Sequence, residues 1–294
     1  MAERTPVLRT AKLFIGGAFP RSESGRTVPV VGADGAFLAN VALASRKDVR
    51  DAVVAARGAQ PGWAGATAFN RGQVLHRIAE LMEGRRTQLT EELEAASGDV
   101  AAAVEEVDAA IDRLVWYAGW TDKLAQVAGG VNPVAGPFFN LSVPEPVGVV
   151  GIVAPQRSAL LGLVAVLAPA LTGGNTTVVV TSESRPLPAV TLGEILATSD
   201  VPGGAVNLLT GAVAELAPVL AGHLDVDGLD LTGLAGLGDA EGIDRSALEA
   251  AAAEGVTRVL PPAATEPDFR RTPRGVDRIM AFCDIKTVWH PKGP

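Results

Sequence analysis

The chain holds a single thiol, Cys283, in the stretch MAFCDIKTVW. A cysteine becomes a nucleophile when a neighbouring base or cation lowers its pKa. No His or Glu adjoins Cys283, so the expectation is a small apolar packing residue. One cysteine forms no internal disulfide and suits a reducing cytoplasm. Arg270, Arg271 and Arg274 make a short basic run among prolines, the kind of feature that can meet a phosphate backbone. Against it stand 33 acidic residues to 25 Lys and Arg, a net charge of -8. That balance repels nucleic acid, and none is expected as a partner. The first residues, MAERTPVLRTAKLF, lack the apolar core of a signal peptide. The longest clean apolar piece, Ala159–Leu171, is too short to span a bilayer. A soluble, cytoplasmic protein without a membrane partner is therefore expected.

The elements that must position these groups show two rhythms. After a strand-like stretch at Lys12–Ile15, the first half reads as helices. Ser45 and Asp48 form a capping pair ahead of Val49, Val53 and Val54. Val74, Leu75, Ile78, Leu81 and Met82 share a helix face, and Leu89 and Leu93 continue it until Gly98 stops the pattern. A further helix carries Val104, Val107, Ile111, Leu114 and Val115 and leads into Trp116, Tyr117 and Trp120, an aromatic group expected to pack.

In the second half, aliphatic runs appear at Val147–Val153, Thr177–Thr181, Val206–Thr210, Val226–Leu231 and Val256–Leu260. Helical stretches at Ala159–Leu171, Leu187–Thr198, Val213–Ala221 and Arg245–Glu254 alternate with them. Continuous apolar strands between helices are what a parallel sheet buried on both faces requires. The expected fold class is α/β, a Rossmann-like doubly wound parallel sheet of about five strands. Pro261, Pro262, Pro267 and Pro273 then mark an irregular connector. A short helix (Val276, Ile279, Met280) and a strand (Ile285–Trp289) follow, and the strand is expected to pair outside the main sheet.

The segments EPVGVVGIVAP, LLGLVAVLAPALTGGNT, SES-PL, VPGGAVNLLTG and DVDGLDLTG, in this order, resemble the cofactor domain of the aldehyde dehydrogenase superfamily. KLFIGGAF and WAGATAFNRGQVLHRIAELME in the first half fit as well, and DIKTVW is similar to the family's terminal oligomerisation strand. The resemblance implies a Rossmann-like domain over 1–131 and 148–262, including its N-terminal helices. It also implies a β oligomerisation arm over 132–147 and 273–294. The arm would hold a hairpin turning at Ala135-Gly136-Pro137, with Phe138, Phe139, Leu141 and Val143 on its second limb.

The pattern also departs from the family. Val256–Leu260 runs into PPAATEP, where the family carries a glutamate-glycine-glycine segment and then a catalytic domain with its nucleophilic cysteine. Gln156 and Arg157 stand where the family has Trp-Asn, whose amide donates to the oxyanion, and position is decisive for such a donor. Val180 replaces the lysine of the ribose-binding segment while Glu183 keeps its glutamate. Leu234 replaces the serine after Gly233. The resemblance thus implies no catalytic residue and no metal site. Glu183, Gly211 and Gly233 remain as candidate cofactor contacts, and NAD or NADP as at most a weak ligand, because turn geometry alone accounts for the glycines. The implied role is a noncatalytic subunit, similar to the silent second half of two-part aldehyde dehydrogenases. Its expected partner is a full-length aldehyde dehydrogenase subunit whose sheet accepts the arm. Two alternatives stay open: an NAD(P)-binding sensor, and a subunit that completes an active site in a heteromer.

Overall fold

The computed structural model describes residues 7–237, 242–272 and 274–292. Pro273, among the prolines marking the connector, lies outside the described residues, as do the first six positions and the last two.

Five parallel strands form the central sheet: β6 (Val149–Val153), β7 (Thr176–Val180), β8 (Val206–Leu209), β9 (Gly228–Asp230) and β10 (Arg258–Leu260). Their order is β10-β9-β6-β7-β8. The chain enters at β6, winds out through β7 and β8, and returns to the other side of β6 for β9 and β10. Alternation along β6 explains why both faces must be covered. Val150 and Ile152 pack into one core and Val149 and Val153 into the other, all fully buried.

The first core is closed by α6 (Leu161–Thr172), α7 (Leu187–Leu196) and the helices of the first half, α2 (Ala68–Gly84), α3 (Arg86–Ser97) and α4 (Val100–Ala118). The second is closed by α1 (Arg46–Gly65), α8 (Val213–Ala221) and α9 (Arg245–Glu254). This is the doubly wound α/β architecture expected from the alternating pattern. All twelve residues of α6 are buried, which its uniformly apolar sequence requires.

Local chemistry sets the boundaries. Ser45 and Asp48 form the reciprocal capping box at the start of α1. Gly98, in the left-handed conformation at φ 75°, ends α3. The apolar face read as one helix through Leu93 is divided at Arg85 into α2 and α3; both pieces keep the stripe inward, so the pattern runs on across the break. The aromatic group packs as expected: Tyr117 is fully buried and meets Trp116 edge-on at 4.8 Å.

The first half also contains strands that the periodicity did not show. β1 (Thr10–Ala11), β2 (Thr27–Val31) and β3 (Phe37–Ala42) form a small sheet in the order β1-β3-β2. β2 is an edge strand with only Val30 buried, and Pro29 interrupts its valines, so it shows no in–out alternation. Lys12–Ile15 makes only isolated bridges, with Phe14 exchanging main-chain bonds with Leu208 of β8. β10 is shorter than Val256–Leu260 because Val256 takes φ 56° and stands exposed, and pairing begins at Arg258.

Apart from the central sheet, and reached through the short helix α5 (Leu124–Ala128), β4 (Gly130–Val131), β5 (Phe138–Pro146) and β11 (Cys283–Pro291) form a three-stranded sheet in the order β11-β5-β4. β11 therefore pairs with β5, in unbroken antiparallel register from Cys283↔Pro146 to Pro291↔Phe138. The short helix α10 (Val276–Met280) precedes it. Its Ile279, with Phe282 and Cys283 just beyond, joins the core on the α6 side of the main sheet.

Candidate functional site

In an open parallel sheet, ligands are held at the carboxyl ends of the strands, where the strand order reverses. Here that point lies between β6 and β9. Four loops surround it. The loop after β6 carries Gln156, Arg157 and Ser158. Gln156 ties this loop to the one after β7: its side-chain amide donates to the Ala154 carbonyl (2.7 Å), its Oε1 accepts from the Glu183 main chain (3.0 Å), and Ser182 Oγ donates to its carbonyl (2.7 Å). The main-chain N–H groups of Gln156, Arg157 and Ser158 all donate to Glu266, at 2.9, 3.0 and 2.9 Å. A second carboxylate, that of Glu106 on α4, accepts from the N–H groups of Leu160 and Leu161 at the start of α6, at 3.0 and 3.1 Å. Both sets of donors are thus paired with acids of the same chain.

The three candidate contacts share this carboxyl edge. Glu183 follows β7 and is exposed. Gly211 follows β8 and is tucked against the start of α1: a Cβ there would lie 3.1 Å from Ala44 N and 3.0 Å from Leu216. Gly233 lies in a single 3-10 turn (Thr232–Leu234) after β9 and is buried. A Cβ on Gly233 would lie 2.1 Å from the Ala154 carbonyl oxygen and 2.5 Å from that of Val153. Glycine is required there for the turn to rest on the end of β6.

The side chains around these positions do not form a dinucleotide cradle. Val180 is fully buried in the second core and offers no cation to a ribose. Leu234 is buried in the same core. The N-terminus of α9 is capped from within, since Asp244 Oδ1 accepts from Ala247 N at 3.0 Å. Arg245 at its first turn donates to the carbonyls of Leu234 and Leu237 (2.7 and 2.9 Å). Across the switch point, Arg278 from α10 pairs with Asp230 at the end of β9 (2.8 Å) and donates to Thr232 Oγ1 (3.1 Å). The Asp230 side chain is 1% exposed. The residues present therefore do not fit NAD held through these loops.

Cys283 lies at the other edge. It begins β11, beside Gly173 and Asn175 where α6 hands over to the amino end of β7. Its Sγ donates to the Ile279 carbonyl at 3.3 Å. Burial pushes its pKa from 9.0 to about 11, and the nearby Asp284 adds to the rise despite Arg258 and Arg71. The thiol is thus protonated at neutral pH, away from the loops that would present a substrate. No group of three His, Cys, Asp or Glu poised for a metal occurs among the described residues.

The sequence reading gave no role to Glu266, Glu106, Arg278 or Asp230. Glu266 stands in PPAATEP, where nothing in composition marks an acid as a partner of a loop 110 residues away. DVDGLDLTG does place Asp230 at a strand end, and that position could have singled it out.

A family model described as the aldehyde dehydrogenase family matches residues 20–247. Aldehyde dehydrogenase, cytosolic 1 of Elephantulus edwardii is 34% identical over 232 residues, which are 77% of this chain and 46% of that protein. Cytosolic 10-formyltetrahydrofolate dehydrogenase of Mus musculus is 35% identical over 229 residues, 76% of this chain and 25% of that protein. Among solved structures, an aldehyde dehydrogenase from Bacillus cereus in complex with NAD+ superposes with a TM-score of 0.78 at 28% identity, covering 85% of this chain and 50% of that one. Betaine aldehyde dehydrogenase of Staphylococcus aureus gives 0.77 at 27%, covering 85% and 49%. The chain spans about half the length of the first of these relatives.

Proposed function

This chain belongs to the aldehyde dehydrogenase family, and we propose that its role there is noncatalytic: it joins an active NAD(P)-dependent aldehyde dehydrogenase as a partner subunit and stabilises or regulates it. The observation that carries this reading is the open outer edge of β11. Two main-chain bonds bracket its inner ladder, from Val147 N to the Phe282 carbonyl (3.2 Å) and from Lys292 N to the Pro137 carbonyl (2.7 Å). With the register unbroken between them, the even-numbered residues of β11 bond to β5. Ile285, Thr287 and Trp289 then turn their main-chain groups to the free side, where a further strand can add. The close approach of Ser142 Oγ to Thr287 Oγ1 (2.8 Å) fits this assignment, since side chains stand nearest in pairs that do not exchange main-chain bonds. Ile285, Val288 and Trp289 are exposed and would be covered by such a partner.

Catalytic silence is the other half of the reading. It rests on a single cysteine buried at the wrong edge of the sheet, and on Gln156 and Arg157 where an oxyanion donor would be needed. The domain organisation expected from the resemblance, with 132–147 and 273–294 as an arm and no catalytic domain, belongs to the same proposal. The direct test is Thr287→Pro. This change removes a donor from the free edge while sparing the β5 ladder. Co-elution of the chain with an aldehyde dehydrogenase from the same cell should be lost in the variant without a fall in its own melting temperature. Retained co-elution refutes the arm reading. NAD-dependent aldehyde oxidation by the purified chain, abolished by Cys283→Ser, refutes the noncatalytic one. A sensor reading draws support only from the exposed Glu183, and micromolar NAD affinity by calorimetry would favour it.

A further inference from the structure

We propose that the Gln156–Ser158 loop is an anion-binding site in its own right, filled from within by Glu266 as a tethered stand-in for the phosphate or carboxylate group of a small ligand. Three successive N–H groups converging on one acid form a concave nest, a geometry suited to anions. The bonds are charge-assisted, which makes them stronger than ordinary amide–carbonyl bonds. The loop is also held independently of Glu266. Gln156 is clamped to Ala154, Ser182 and Glu183, and Ser158 Oγ accepts from Gly162 N (3.0 Å) and donates to Glu106 (3.2 Å). Removing the Glu266 carboxylate therefore leaves the donors in place with nothing on them.

Space and charge for a ligand lie beside the nest. A cavity of about 320 Å³ is lined by Arg157, Arg185 and Arg270 and by the acids Glu106, Glu266 and Asp268, and Arg270 is already paired with Asp268 (3.6 Å) and Glu105 (3.0 Å). Arg185 reaches across to donate to the Arg157 carbonyl at 3.0 Å, so the loop and its cations form one wall. Glu266 enters this cavity on a short tether. Three residues on, Phe269 is 2% exposed, and its carbonyl accepts from Arg113 at 2.6 Å. A carboxylate fixed so close to its receptor competes at an effective concentration on the order of millimolar or above. An external anion must displace it, and the intact chain then binds such ligands weakly whatever the quality of the nest. This goes beyond the assembly reading and does not depend on it.

The test compares the intact chain with Glu266→Ala by calorimetry, using inorganic pyrophosphate as the phosphate probe and citrate as the carboxylate probe. Amide hydrogen exchange at Gln156–Ser158 is followed in parallel. The expected result is at least tenfold tighter binding of one probe by the variant, with the three amides losing protection on substitution and regaining it on adding that probe. The stronger probe identifies the ligand group. Equal affinity in both proteins overturns the proposal, as do amides that stay unprotected with either probe, because the loop would then be a site only when Glu266 shapes it. Should Glu266→Ala fail to fold, Glu266→Gln keeps the shape and removes the charge. Tightening in that variant is again required, and its absence again overturns the proposal.

Discussion

Phe282→Ala tests how the tail is held. Phe282 is 2% exposed and lies in the core on the α6 side of the sheet. Its ring fits because β9 opens with Gly228: a Cβ there would lie 2.6 Å from Phe282 Cδ1 and 2.9 Å from Cε1. Truncating a buried phenylalanine to alanine loses its transfer free energy and leaves a cavity, together about 3–5 kcal/mol. Trp289→Ala, seven residues further on, removes a side chain that is 61% exposed and that, among the aromatic rings of the described residues, touches only Phe138. It should cost less than about 1 kcal/mol. Urea unfolding followed by tryptophan fluorescence reads both as shifts in midpoint at constant slope. Gly228→Ala adds a control. It should destabilise the intact protein by about 1–3 kcal/mol through overpacking, yet cost less beside Phe282→Ala, because the ring it strikes has gone. A Phe282→Ala loss below about 1 kcal/mol, or additive effects of the two changes, would refute the view that the tail is wedged into the main domain.

The remaining predictions concern the other edge of the sheet, the thiol and the terminal strand. Gly233→Ala should cost about 1–3 kcal/mol by thermal unfolding, since its Cβ meets two main-chain carbonyls rather than a mobile side chain; an unchanged midpoint would contradict the close approach to β6. Arg278→Met should cost about 3 kcal/mol, at the low end for a broken buried pair because the arginine is 26% exposed while Asp230 is 1% exposed; the double change with Asp230→Leu should recover part of the loss. Cys283 should resist alkylation at neutral pH in the folded state. Its pKa is raised to about 11 in the native protein from an ordinary 9.0. The stability it contributes by holding its proton is thus fully present below pH 9 and lost as pH rises through about 11. Titration of the thiol near 9 in the native chain would contradict this. Lys286→Pro, in contrast to Thr287→Pro, should disturb the chain itself by breaking the inner β11–β5 ladder, read as a lower melting temperature.

The amino-acid order alone determined the parts that rest on short-range repeats. The strands read at Val147–Val153 and Thr177–Thr181, observed at Val149–Val153 and Thr176–Val180, and the helices between strands were legible because a buried parallel strand must be continuously apolar and a crossover helix must follow it. Ser45 with Asp48 marked a helix start because the capping box closes within one turn. The same reasoning failed at β2, whose exposed edge position and Pro29 leave no periodic signal, and at Arg85, where the chain breaks a helix without breaking its apolar stripe. Glu183, Gly211 and Gly233 could be placed at strand ends from the sequence, and their reading as candidate cofactor contacts came from the family resemblance. Only the tertiary structure decided that Gly233 carries a turn pressed on β6, that Glu266 fills the loop at Gln156, and that Arg278 reaches Asp230 across the switch point. Each of those contacts joins residues that are remote along the chain and carry no local pattern, so the distance and charge that make them exist only once the sheet has brought its carboxyl ends and the connector together.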